Sequence, residues 1–263
     1  MNEEIHSEKL NLCYKKINVI DNLNIVIKKN KITALIGSNG SGKSSILKAL
    51  SRIIKPSRGD VYLNGKSIYQ YTNKEVAKLL SILPQAPEAP LDFSVLQLVQ
   101  LGRFPNQNFI GSLNKHDHEK IEWALLSTDM FELKDRKLSE LSGGQKQRAW
   151  ISMALAQGGD YLFLDEPTTY LDMKHQIEIL NVLKKLNENE KKTIVMVLHD
   201  INQAAKYAQH IIAIKKGKIY FEGSIPEVMN AQRIESIFGV KGIIINEDKM
   251  NTPLFFPEEV SNV

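Results

Sequence analysis

The chain has 263 residues, 43% hydrophobic and 24% charged, enough apolar material for one large packed domain or two modest ones. With Gly 15 and Pro 9 it is neither collagen-like nor of low complexity, and its apolar content excludes wholesale disorder. Its 34 basic and 30 acidic residues leave a net charge of +4, compatible with phosphate or anionic lipid but too slight to argue for a nucleic-acid partner. The longest apolar runs, such as 194–198 and 211–214, fall far short of the roughly 18–20 residues that a bilayer-spanning helix needs. The first residues carry three acidic groups and no apolar stretch, so no secretory signal is expected and the cytoplasm is the expected compartment. The one cysteine, Cys13, can form no internal disulfide, and its apolar surroundings predict a small buried hydrophobe.

Residues 9–14 and 22–27 alternate polar with apolar, and Gly59-Asp60 leads into another such run at 61–63, which predicts a small, partly antiparallel sheet at the front. Residues 31–36 then form an apolar run of the kind buried on both faces of a parallel sheet, followed by a helix over 44–53. Pro84, Pro87 and Pro90 break the pattern and open a mainly helical insertion at about 86–158. A second buried strand follows at 161–164, and the helix after it, 173–186, repeats Ile177, Leu180, Leu183 and Leu186 at helical spacing. A third buried strand is predicted at 193–198. The fold class is α/β, a parallel sheet flanked by helices, with no internal repeat. The tail, 241–263, suggests no role.

Gly37-Ser38-Asn39-Gly40-Ser41-Gly42-Lys43-Ser44 fits G-x-x-x-x-G-K-[ST] directly between a predicted strand and a predicted helix. Its glycines let consecutive N–H groups curve around phosphate oxygens, and the helix N-terminus adds its positive dipole end. Lys43 supplies a cation for the β- and γ-phosphates, and the Ser44 hydroxyl suits Mg²⁺. Asp165 and Glu166 end the second buried strand, at the edge where open α/β sheets place ligands. Asp165 suits a Mg²⁺ shell, and Glu166 can orient or deprotonate an attacking water. His199 closes the third strand at the same kind of edge, where it could donate to a γ-phosphate or position that water. His116, His118 and Glu119 lie close in sequence, but a polar stretch with no cysteine and no HExxH pattern argues against a metal there.

Ser142-Gly143-Gly144-Gln145, with Leu141 before it, opens a helix predicted over 146–156, with Ser142 as its cap and the glycines exposing N–H groups. The alternative is a capped helix and nothing more. Because one nucleotide already has its cradle at 37–44, the simplest use of a second is to hold a phosphate bound by another copy, which implies a head-to-tail homodimer with two shared sites.

Together these residues resemble the ATP-binding-cassette (ABC) ATPases, over about residues 10–239. The resemblance makes 37–45, with Ser45, the Walker A loop, 141–145 the signature, 161–166 Walker B and His199 the switch histidine. It further implies that Gln85 senses Mg²⁺ and a transmembrane partner, and that 169–172 is the D-loop, with Asp172 reaching the second copy's nucleotide. Tyr14 would stack on adenine; without the resemblance it reads as strand core. Ser38 stands where the family usually has Pro, and Ser45 where Thr is common, without loss of a phosphate donor. The runs 93–105, 147–150, 170–176 and 199–204 are similar to importers of ferric siderophores, with relatives for haem or cobalamin. The resemblance thus implies an ATPase using ATP and Mg²⁺ at the cytoplasmic face of the membrane, with permease subunits, an extracytoplasmic binding protein and no nucleic acid. The domain would span 5–240, followed by the tail. A soluble ABC ATPase serving iron–sulfur assembly is the alternative.

Overall fold

The computed structural model describes residues 4–14, 17–107, 112–246 and 252–261. Its contacts divide the chain into two compact units, Met1–Gln70 with Val195–Val263, and Tyr71–Ile194.

The first unit opens with β1 (Ile5–Tyr14) and β2 (Ile17–Ile27), then β3 (Ile32–Ile36), α1 (Lys43–Leu50), β4 (Arg58–Leu63) and the short β5 (Lys66–Ser67). An antiparallel sheet in the order β2-β1-β4-β5 forms as the front of the sequence predicts. Its core side takes Ile5 and Ser7 of β1, then Leu10 and Leu12. The change from odd to even positions follows an irregularity between Ser7 and Leu10, where Lys9 adopts φ 48°. Cys13 therefore faces outward and is exposed, contrary to the buried position expected for it. It alternates with the inward Leu12, and strand periodicity sends it to the other face. Helix α1 also stops short of the predicted 53, because Ser51 bonds its own hydroxyl back to Leu47 O (2.9 Å) and Arg52 turns to φ 63°.

The second unit holds α2 (Asn73–Leu79), β6 (Leu80–Leu83), α3 (Val95–Leu101), α4 (Lys115–Ser127), α5 (Gly143–Ala156), β7 (Tyr161–Leu164) and α6 (Met173–Glu190). β6 and β7 pair in parallel. The three helices of the insertion pack on one another, α5 against both α3 and α4. Helix α6 runs beyond the predicted end and buries Leu180, Leu183 and Leu186, whereas Ile177 of the same repeat is 40% exposed. β8 (Thr193–Val197) carries the chain back to the first unit.

There α7 (Ile201–Tyr207), β9 (His210–Lys215), β10 (Lys218–Gly223), α8 (Ile225–Val228) and α9 (Ala231–Phe238) follow. β3 lies between β9 and β8, and its pairing with β9 is parallel. The tail forms an antiparallel pair, β11 (Val240–Ile245) with β12 (Leu254–Val260). It is fastened to α7 by Asn202, whose amide donates to Phe255 O (3.0 Å) and whose Oδ1 accepts from Phe255 N (2.8 Å).

One buried ion pair braces the helical insertion. Arg103 Nε donates to Asp117 Oδ1 at 2.8 Å, and Arg103 Nη1 reaches Ala156 O at 2.6 Å, the carbonyl at the end of α5. Asp117 also accepts from Asn114 N at 3.0 Å to cap α4. Burial pushes the Asp117 carboxyl up, but the Asn114 N–H and the Arg103 guanidinium outweigh it and hold it below the usual carboxylate range. Asp117→Ala would leave a buried guanidinium without its partner and is expected to lower the stability of this unit by about 3–5 kcal/mol. Both tryptophans, Trp123 and Trp150, lie in the unit, so fluorescence during urea unfolding reads the effect; an unchanged midpoint would contradict it.

Candidate nucleotide-binding and hydrolysis site

In the first unit, β3 is buried along its whole length and ends at Gly37, whose φ is 146°. A Cβ on Gly37 would lie 2.2 Å from Ile214 O, so only glycine can pass under that carbonyl. The loop turns at Gly40 and Gly42, with Ser38, Asn39 and Gly40 exposed, and enters α1 with no side chain capping the helix. No side chain thus competes with an external acceptor at the start of α1, and the positive end of the helix dipole faces the loop. Lys43 is 5% exposed and folds back over the loop, its Nζ donating to Gly37 O and Ser38 O at 2.9 Å each. The Ser41 hydroxyl is buried with no hydrogen-bond partner among the described residues. An orphaned hydroxyl, a buried cation and a helix start without a side-chain cap on one loop fit a bound polyphosphate. Ser44 and Ser45, in the first turn of α1, are half-buried.

His199 is exposed and follows Leu198, whose N–H donates to Leu35 O at 3.1 Å. It thus leaves its strand level with the end of β3, beside the start of the phosphate loop. Asp200 next to it caps α7 by accepting from the N–H groups of Asn202 (2.7 Å) and Gln203 (3.2 Å). Tyr14 ends β1, paired with Ile17; its side chain lies outside what the structure describes.

In the second unit, Asp165 N donates to Leu83 O at 2.9 Å, which carries the β6–β7 pairing one residue past β7 and buries Asp165. Glu166 turns away with φ 54°, a left-handed backbone unusual for this residue type. One of its oxygens, Oε2, accepts from Gln85 Nε2 (2.5 Å) and from the Thr169 hydroxyl (3.0 Å). Gln85 and Glu166 are far apart in sequence, and the parallel pairing of β6 with β7 brings them together. Thr169 has a role at Glu166 that the sequence reading missed. A hydroxyl three residues past the acid, in a turn closed by Thr169 N to Glu166 O (3.2 Å), is the signal that could have found it.

Ser142 caps α5, its hydroxyl accepting from Gln145 N (3.3 Å) while Gln145 Oε1 accepts from Ser142 N (3.0 Å). The helix starts at Gly143, three residues before the predicted 146. Ser142 and Gly143 are exposed and Gly144 is buried. Asp172 caps α6, where the His175 N–H, and after it the imidazole, hold its carboxyl below the usual carboxylate range. His116 and Glu119 form a loose surface pair on α4, while Asp117 between them is taken by Arg103.

The ABC transporter family profile matches residues 20–169, more than half of the chain. The chain belongs to the ABC transporter family. It is 48% identical to the iron(3+)-hydroxamate import ATP-binding protein FhuC of Bacillus subtilis over 95% of this chain and 93% of that protein. It is 43% identical to the ferric enterobactin transport ATP-binding protein FepC of Escherichia coli over 96% and 93%. Among solved structures, a dimeric ATP-binding cassette bound to ADP and phosphate superposes with a TM-score of 0.72 at 29% identity, over 84% of this chain and 98% of that one. This chain is an ABC ATPase, built on the α/β cassette with its antiparallel β subdomain and helical parts. Among the described residues no helix is long and apolar enough to cross a membrane.

Thr169→Ala removes a charge-assisted hydrogen bond to Glu166 and is expected to lower kcat about tenfold with little change in KM, while Thr169→Ser retains most of the rate. Steady-state ATPase assays check this. Equal rates for Thr169→Ala and the parent would contradict a holding role.

Proposed function

We propose that this chain is the ATP-hydrolysing subunit of a bacterial importer of ferric siderophores. It works as a homodimer at the cytoplasmic face of the membrane, beneath permease subunits, with an extracytoplasmic binding protein delivering the cargo. The observation that carries the reading is 48% and 43% identity, over nearly the whole chain, to subunits named for iron(3+)-hydroxamate import and ferric enterobactin transport, joined to a phosphate loop and an acid suited to hydrolysis.

In this reading Gly37, Ser38, Asn39, Gly40, Ser41, Gly42, Lys43, Ser44 and Ser45 of one copy cradle the phosphates, and Tyr14 supports the adenine. The second copy contributes Ser142, Gly143, Gly144, Gln145 and Asp172. Water attacks the γ-phosphorus in line; its proton passes to Glu166 as the bond to ADP breaks, and His199 donates to the developing charge on the phosphoryl oxygens. Ser44, Gln85 and Asp165 are the residues that would hold Mg²⁺, which would supply neutralisation of phosphate charge when bound. The hydrogen bond from Gln85 to Glu166 supports a coupling of Gln85 to the hydrolytic acid: a partner that displaces Gln85 would remove one of the two donors on Glu166 Oε2.

Glu166→Gln tests the chemistry. It is expected to bind ATP with near-normal affinity and to hydrolyse it at least about 10²-fold more slowly, accumulating dimers by gel filtration. Near-normal turnover would contradict the assignment. Co-purification of the subunit with its permease, and ATP-driven uptake of a labelled ferric siderophore by the reconstituted complex, test the transport half.

A further inference from the structure

His175 and Gln176 lie in the run 170–176, which resembles siderophore importers, yet nothing in the hydrolysis scheme uses them. The structure gives both a task. One oxygen of Asp172, Oδ1, is bonded twice by His175, by the backbone N at 3.0 Å and by the imidazole Nδ1 at 2.7 Å. Gln176 Nε2 donates to Leu171 O (3.0 Å) and Thr168 O (3.3 Å), so the first turn of α6 grips the loop 168–172 at three points. The other edge of the imidazole covers Gly144. A Cβ on Gly144 would lie 2.3 Å from His175 Cδ2, 2.6 Å from Cγ and 2.9 Å from Cβ, so the ring can sit there only because residue 144 is glycine. One turn along, Arg148 of α5 and Glu178 of α6 form an ion pair at 3.5 Å.

We propose that His175 is a positioning residue that joins Asp172 to the Ser142–Gly143–Gly144 cradle, so that both meet the second copy as one rigid surface. The ring is held through Nδ1 by the loop and pressed on the opposite edge against the start of α5. Movement of the loop is therefore passed to the cradle by packing rather than through flexible chain. A side chain with a donor at the δ position is needed for the first contact, and a flat ring for the second.

This inference rests on the shared-site homodimer proposed above, and the experiment separates the two. In a Glu166→Gln background, ATP-driven dimerisation is followed by analytical ultracentrifugation, and binding of a fluorescent ATP analogue to the monomer is followed in parallel. His175→Ala is expected to raise the ATP concentration needed for half-dimerisation about tenfold while analogue affinity stays within about twofold. His175→Asn, which keeps a donor near the Nδ1 position but not the ring over Gly144, is expected to recover part of that loss. On an Asp172→Ala background, His175→Ala should have little further effect. Unchanged dimerisation in His175→Ala, equal defects in the Ala and Asn variants, or full additivity with Asp172→Ala would each overturn the proposal. A Glu166→Gln parent that stays monomeric in ATP would instead overturn the homodimer reading itself, and this inference with it.

Discussion

The passage of Gly37 beneath the Ile214 carbonyl is the constraint on which the nucleotide site depends. No side chain fits there, so the chain leaves β3 at one fixed point and in one direction. With β3 buried on all sides and Lys43 bonded back to the carbonyls of Gly37 and Ser38, the loop is held in shape by its own residues. Its donors therefore need little reorganisation to meet phosphate, which is the condition for strong electrostatic stabilisation of developing charge. Placing His199 level with that strand end follows from the same strands, through Leu198 and Leu35.

The second unit applies the same logic to carboxylates. The pairing of β6 with β7 buries Asp165 and leaves Glu166 at the turn, where a left-handed backbone aims its side chain back toward Gln85 and Thr169. Such a backbone costs of order 1 kcal/mol for a residue with a Cβ, and it persists because the strand end and the Thr169 turn fix both sides. Glu166 is thus held by two neutral donors to a single oxygen, Oε2.

Much of this was legible in the sequence because the decisive signals are local. The phosphate loop is a contiguous string, the buried strands at 161–164 and 193–198 are short apolar runs, and Ser142 announces the cap of α5. What escaped reading depends on contacts between distant residues. The outward turn of Cys13 follows from the inward side chains of Leu10 and Leu12, after an irregularity near Lys9 that composition does not reveal. The docking of the tail depends on Asn202, far earlier in the chain, which grips Phe255. Thr169 and His175 sit inside motifs, but their tasks at Glu166 and Gly144 exist only once strand pairing and helix packing are complete.

The proposed function requires two copies, with the cradle at Ser142 of one and the phosphate loop at Gly37 of the other each holding part of one nucleotide. Cysteine cross-linking tests that most directly. With Cys13 replaced by serine, Asn39→Cys and Ser142→Cys are expected to form an intermolecular disulfide that ATP promotes in a Glu166→Gln background. Digestion and mass spectrometry would then recover a 39–142 linked peptide pair. Absence of that pair in ATP, with nucleotide binding intact, would contradict a site shared between copies.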